Sequence, residues 1–256
     1  MNERPLRRAV LARLGAASIA LGALGTACSS SGPRSGLSPP DLFTWAQERF
    51  DEGDYGSAVR GFQDFLIQDP LNPLTDSAQF MIAEATLRDG REVEAAEEFS
   101  RLATGRPGSP WADDAQFGTC RAYWEASPDI PLTQEYTRRA VEECERLLQF
   151  FPASPLAGNA RAVIDEARGK LARKSYDIGR YYYDREFYES ANVYFEKALS
   201  QSPSAELLPE LLERLYRSYT AVGFASEARL VRERLLEEFP DSEQARALRD
   251  DDGRAS

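Results

Sequence analysis

From Asp41 onward, apolar side chains recur at helical spacing, and their arrangement returns after 37 residues. Ala58 and Ala95 keep that interval, as do Ala191 and Ala228, Pro70 and Pro107, and Pro203 and Pro240. In each unit an alanine is followed four residues later by a larger side chain on the same face: Phe62, Phe99, Cys144, Phe195 and Arg232. Twelve residues after the alanine comes a proline, and Ala140 with Pro152 supplies the remaining copy. A small residue lets two helices cross closely, its i+4 neighbour fills the same face, and proline ends the helix. Gly53-Asp54-Tyr55 marks the turn between the two helices of the first unit.

The pattern resembles the tetratricopeptide repeat, slightly longer than its 34-residue standard. It predicts an all-α fold: a right-handed solenoid of about five helical hairpins, stacked because none buries its apolar face alone, with the first helix of each lining a concave surface. Two intervals depart from 37 residues. Pro107 to Pro152 is 45, and Ser127-Pro128-Asp129-Ile130-Pro131 supplies a loop inside it. Pro152 to Pro203 is 51, fourteen too many, or nearly four helical turns. Leu156 to Asp184 contains no proline, so one long helix of about 29 residues is predicted to join repeats 3 and 4.

Outside the repeats the composition changes character. Residues 1–27 begin with Arg4, Arg7, Arg8 and Arg13 around an apolar stretch from Leu14 to Ala27, which is the build of a signal peptide. That stretch is too short to span a bilayer, and no later one is long and apolar enough. Leu24-Gly25-Thr26-Ala27-Cys28 resembles a bacterial lipobox, making Cys28 the expected lipid-attachment residue and mature N-terminus, with ordinary secretion and cleavage after Ala27 as the alternative. Ser29 after the cysteine, by resemblance to such lipoproteins, favours export to the outer membrane, with the anchored chain on its periplasmic face. Residues 28–40 read as the lipidated cysteine and a flexible, proline-rich tether. Repeats 1–3 occupy 41–154, the long helix and repeats 4–5 occupy 155–248, and 249–256 reads as a disordered acidic tail.

Charge and side-chain inventory narrow the function. The chain carries a formal charge of −11, and losing residues 1–27 removes four arginines and Glu3, leaving about −14. This argues against nucleic acid, and against an anionic lipid surface as the means of membrane contact. The chain has no histidine, the commonest general base and metal ligand. No catalytic residue, metal site or cofactor is therefore expected. Glu94, Glu97 and Glu98, like Glu142, Glu143 and Glu145, read as solvated faces of second helices and not as paired catalytic carboxylates.

Phe43, Phe80 and Phe117 recur at the repeat interval in the first helices, and Phe50, Leu87 and Trp124 follow seven residues later. Such rows suit an extended peptide carrying aromatic side chains, or else seal the core between repeats. Cys120 and Cys144 fall at small-residue positions on the two helices of repeat 3. Buried free thiols are the expectation, with a disulfide as the alternative in an oxidising compartment. Tyr181, Tyr182 and Tyr183 cannot all point inward from one helix, so at least one is expected at a contact surface.

From Asp41 to about Leu248 the chain resembles the BamD family of outer membrane protein assembly factors. The resemblance rests on the lipobox, the five repeats, FPASPLAGNA, and the segment LARKSYDIGRYYYDREFYESANVYFEKAL from Leu171 to Leu199. It implies a non-enzymatic lipoprotein in a complex with a beta-barrel insertase and accessory lipoproteins. Its N-terminal repeats would receive unfolded outer membrane proteins through an aromatic-ended C-terminal signal, and its C-terminal repeats would dock the insertase. Phe43, Phe50, Phe80, Leu87, Phe117 and Trp124 are the substrate-binding candidates, chosen on chemistry and not on a family motif. Tyr182, Tyr183, Tyr188, Tyr194 and Lys197 are the docking candidates; Tyr194 stands near the point where some relatives offer a basic residue. The alternative is a scaffold for another envelope machine, such as a secretin pilotin or a cell-wall synthesis coordinator.

Overall fold

The computed structural model describes residues 36–255, so the signal peptide, Cys28 and most of the tether lie outside the described residues. Among the described residues eleven helices follow one another and no strand occurs. They are α1 (Pro39–Asp51), α2 (Tyr55–Gln68), α3 (Thr75–Arg88), α4 (Glu92–Gly105), α5 (Ala112–Glu125), α6 (Glu135–Phe150), α7 (Ala157–Tyr183), α8 (Tyr188–Ser200), α9 (Leu208–Val222), α10 (Ala225–Glu238) and α11 (Glu243–Ala255). Each helix packs on the next, forming five hairpins, and α11 closes the stack by packing on α9 and α10.

The punctuation of these helices follows the repeat. Asp69, Arg106, Phe151 and Phe239, each directly before a proline, end α2, α4, α6 and α10 in non-helical backbone, with φ of −129 to −140° and ψ of 52 to 73°. Proline's ring crowds the preceding residue out of helical geometry. The turns inside hairpins use left-handed backbone at Gly53, Gly90 and Gly223, with φ of 75 to 83°. In the fourth hairpin the equivalent residue is Glu186, at φ 63°. A side chain there costs on the order of 1 kcal/mol relative to glycine.

First helices of successive hairpins touch one another from α3 through α5 and α7 to α9, whereas second helices make no comparable contact among the described residues. The stack therefore curves with first helices on its inner side. Its core is laid down in sections. Phe43, Phe62, Phe65, Phe80 and Phe99 anchor the section belonging to the first three hairpins. Tyr176, Phe195, Leu211 and Leu215 anchor the section between the fourth and fifth.

The long helix is present, at 27 residues. Ala157, Ala160 and Ile164 pack with hairpin 3 around Leu147, while Tyr176 packs in the hairpin 4–5 core. One helix thus serves two core sections, which explains why the sequence inserts helix there and not loop.

Two expectations need correction. Cys120 on α5 and Cys144 on α6 are joined in a disulfide, not held as free thiols. Antiparallel packing at two small-residue positions brings their Cα atoms to 5.1 Å, inside the range a disulfide spans. The stretch read as a disordered acidic tail continues α11 as helix as far as Ala255.

Candidate binding surfaces

The inner side of the N-terminal hairpins carries a charged strip. Glu84, on α3, is only 2% exposed and accepts hydrogen bonds from Arg88 at 3.0 Å and from Arg121 on α5. Arg121 also reaches Glu125 at 3.6 Å, and Arg88 lies over the Phe50 ring at 5.0 Å. Burial pushes the Glu125 carboxyl above its ordinary range, against the pull of Arg121. Glu84 and Arg121 stand 37 residues apart. They occupy the same repeat position with opposite charge, and the ion pair between them bridges neighbouring hairpins. Sequence reasoning passed over them because it followed only apolar residues through the repeat, although the interval itself connects them.

The aromatic rows lie deeper than a capture surface requires. Phe43 meets Phe62 and Phe65 edge-on at 5.3 and 5.4 Å, and Phe80 stacks on Trp111 at 4.7 Å. Phe43, Phe50, Phe80 and Leu87 are all buried, so the structure places these four in the core between helices. Phe117 and Trp124 are half-buried, and Phe117 packs against the core section around Cys120 and Leu147. The physical reason is the neighbouring second helix. Its own aromatics, Phe62 and Phe99, project into the hairpin and draw the first-helix rings toward them.

Next to Trp124 the eight-residue insertion forms a built loop. Gln134, 2% exposed, gathers it by donating to the carbonyls of Asp129 at 2.9 Å and Leu132 at 3.1 Å. Lys170 of α7 lies over the Trp124 ring at 5.3 Å and donates to Ser127 Oγ at 2.8 Å, and Lys174, one helical turn on, donates to the carbonyl of Leu132. The i,i+4 lysine pair thereby latches the long helix to hairpin 3. That pair is visible in the sequence, but its partners are not.

The tyrosine cluster continues from this latch. Tyr181 is 52% exposed and meets Tyr182 edge-on, Tyr182 stacks flat on Tyr194 at 5.5 Å, and Tyr183 meets Tyr188 edge-on at 5.4 Å. Of the docking candidates, Tyr182, Tyr183, Tyr188 and Tyr194 are half-buried within this cluster and Lys197 is exposed on α8. Beneath it, Tyr176 is fully buried and donates its hydroxyl to Glu210 of α9. Tyr219 donates to Glu196 of α8 at 2.7 Å. Burial first and the carboxylate partner second push both phenols far above their ordinary range. Each therefore stays a neutral donor that ties the fifth hairpin to the fourth.

Comparison with known proteins gives this architecture a context. The family model YfiO, described as an outer membrane lipoprotein, matches residues 36–235. The outer membrane protein assembly factor BamD of Caulobacter vibrioides is 27% identical over 188 residues, which are 73% of this chain and 62% of that protein's length. The chain thus spans under two thirds of that relative. Among solved structures, a thermophilic TPR protein of Thermus thermophilus is 18% identical with a TM-score of 0.37, covering 82% of this chain and 96% of that one. The TPR domain of P58(IPK) is 16% identical with a TM-score of 0.42, covering 81% and 53%.

Proposed function

Because this chain belongs to the YfiO family of outer membrane lipoproteins, we propose that it is a non-catalytic adaptor of the beta-barrel assembly machinery, held to the periplasmic face of the outer membrane by acyl chains on Cys28. The observation carrying this reading is the family match across residues 36–235, which takes in the first four hairpins and most of the fifth. In this reading unfolded outer membrane proteins are received along the inner side of hairpins 1–3. Trp124, Arg121 and Glu125 are the accessible groups there, with Glu84 buried beneath Arg121, and the buried phenylalanines set the shape of the surface behind them. The C-terminal half, from the tyrosine cluster to α10, docks the barrel insertase, with Tyr182, Tyr194 and Lys197 at the contact. Among the described residues no helix is long and apolar enough to cross a membrane. That leaves the acyl anchor as the attachment in this reading.

Depleting the chain in its native host, with assembled barrel proteins in outer membrane fractions as the readout, tests the reading. Folded barrels fall on depletion, recover with the wild-type chain, and the insertase co-purifies with it. Unchanged barrel levels alongside failure of another envelope process would instead favour a scaffold of a different machine.

A further inference from the structure

The loop from Ser127 to Gln134 and the second half of α7 do more than hold each other. Between them lies a groove of about 580 Å³, walled by Ile130, Pro131, Ile178, Tyr181 and Tyr182, with Lys174 among its polar lining. Apolar surface here stands open to water: Tyr181 on the groove wall is 52% exposed, and Leu132, next in the chain to Pro131, is 58% exposed. Apolar surface left in water beside a concavity marks a place where another chain gains by covering it.

The charge around the groove runs against that of the whole molecule. The chain has a formal charge of −11, yet from Arg168 to Arg185 six basic residues face only two acidic ones, and all three lysines of the chain fall between positions 170 and 197. Asp177, the acidic residue on the groove, already has Arg173 at 3.2 Å and Arg180 at 3.7 Å. Arg185 lies 3.6 Å over the Tyr181 ring and donates to the Tyr181 carbonyl, so a cation is fixed directly on the aromatic wall. A ring with an arginine on one face offers its other face and edge to an incoming side chain, while the guanidinium keeps donors for a carboxylate.

We propose that this groove binds an extended segment of a partner protein in which acidic side chains alternate with aromatic or branched aliphatic ones. The apolar side chains enter between Ile130, Ile178 and the tyrosines, and the carboxylates meet Arg185, Arg180 and Lys174 at the rim. Complementary charge speeds encounter and sets orientation, and the aromatic wall holds the complex. The proposal rests on the adaptor reading for the existence of a protein partner, and it adds the chemistry of that partner's contact.

The test uses the full mature chain in detergent micelles and a fluorescein-labelled peptide of alternating Glu and Phe, with a twin in which Lys replaces each Glu. The acidic peptide is expected to bind at least tenfold more tightly than its twin. Tyr181→Ala and Arg185→Glu, both at exposed positions, should each weaken it about tenfold without changing the melting temperature. Raising salt should weaken binding to the wild type more than to Arg185→Glu. Equal affinity for the two peptides, or wild-type affinity in folded Tyr181→Ala, overturns the proposal. So does capture of anionic vesicles by the unlipidated Cys28→Ala chain in place of peptide preference. Failure here with barrel assembly still complemented removes the groove and leaves the adaptor reading standing; failed complementation removes the adaptor reading itself.

Discussion

Gly179 on the long helix lies directly against the ring of Phe195 on α8: a Cβ built on the glycine falls 2.6 Å from Phe195 Cδ1. The same contact recurs between Gly118 on α5 and Phe99 on α4, also at 2.6 Å. In both, a fully buried phenylalanine of a second helix is admitted by the absence of a side chain on a first helix. Close approach, and not backbone freedom, is what these two helical glycines provide.

Gly179→Ala and Gly118→Ala should each therefore destabilise the chain by about 1–3 kcal/mol through overpacking. Gly169→Ala, on the same long helix with nothing within 4 Å of its Cβ, should be neutral or stabilising by up to about 1 kcal/mol. Chemical denaturation of the three variants checks this, and a Gly179→Ala protein as stable as wild type would mean that Phe195 moves aside freely.

The buried aromatic rows separate core from contact. Phe43→Ala and Phe80→Ala should cost about 3–5 kcal/mol and lower the melting temperature sharply. Trp124→Ala, at a half-buried position, should cost less and instead weaken binding of an aromatic-ended barrel peptide by about 1–2 kcal/mol. Melting and peptide affinity measured on the same three variants give the answer, and a Trp124→Ala chain that binds normally removes this residue from the receiving surface.

Glu84 offers its carboxylate to two arginines from a position that water scarcely reaches. Glu84→Ala should cost about 1–3 kcal/mol, chiefly because Arg121 loses its partner across the hairpin boundary. In a double-mutant cycle, Arg121→Ala should cost much less when Glu84 is already alanine. Additive effects would show that the pair contributes no stability.

Oxidised protein unfolded without reductant should expose no reactive thiol at Cys120 or Cys144. Their bond closes a loop of sequence separation 24, so Cys144→Ser should lower stability by about 3 kcal/mol. Labelling of both cysteines by a maleimide in the unfolded, unreduced chain would contradict the pairing.

Asp54 caps α2, its side chain accepting from the Ser57 backbone amide at 3.1 Å. Hydrogen bonds from Ser57, side chain first, hold its carboxyl below the ordinary aspartate range. A depressed folded-state value stabilises the fold above the unfolded aspartate pKa of about 3.9 and ceases to do so as pH falls through the folded value. Asp54→Ala should thus cost about 1 kcal/mol at pH 7, with the gap to wild type narrowing below about pH 4. Urea denaturation at the two pH values reads this out, and a gap independent of pH would remove the carboxylate from the cap.

The sequence by itself determined the number of hairpins, their limits and the long helix. These depend on local rules: alanine at close crossings, glycine in left-handed turns, and proline two residues past a helix end, returning after 37 residues except across the inserted loop and the long helix. Even the irregular turn at Glu186 keeps that spacing, standing 37 residues before Gly223. Tertiary structure alone decided which side of each first helix is covered. Phe43 and Phe80 occupy positions that periodicity assigns equally well to an inner surface or to a core, and the rings of Phe62 and Phe99, arriving from the second helices, settle the matter. The pairing of Cys120 with Cys144, of Glu84 with Arg121, and of Lys174 with the Leu132 carbonyl is of the same kind. Each depends on a distance between separate helices or between a helix and a distant loop. Such distances are set by how successive hairpins rotate and stack, which no one-dimensional spacing contains.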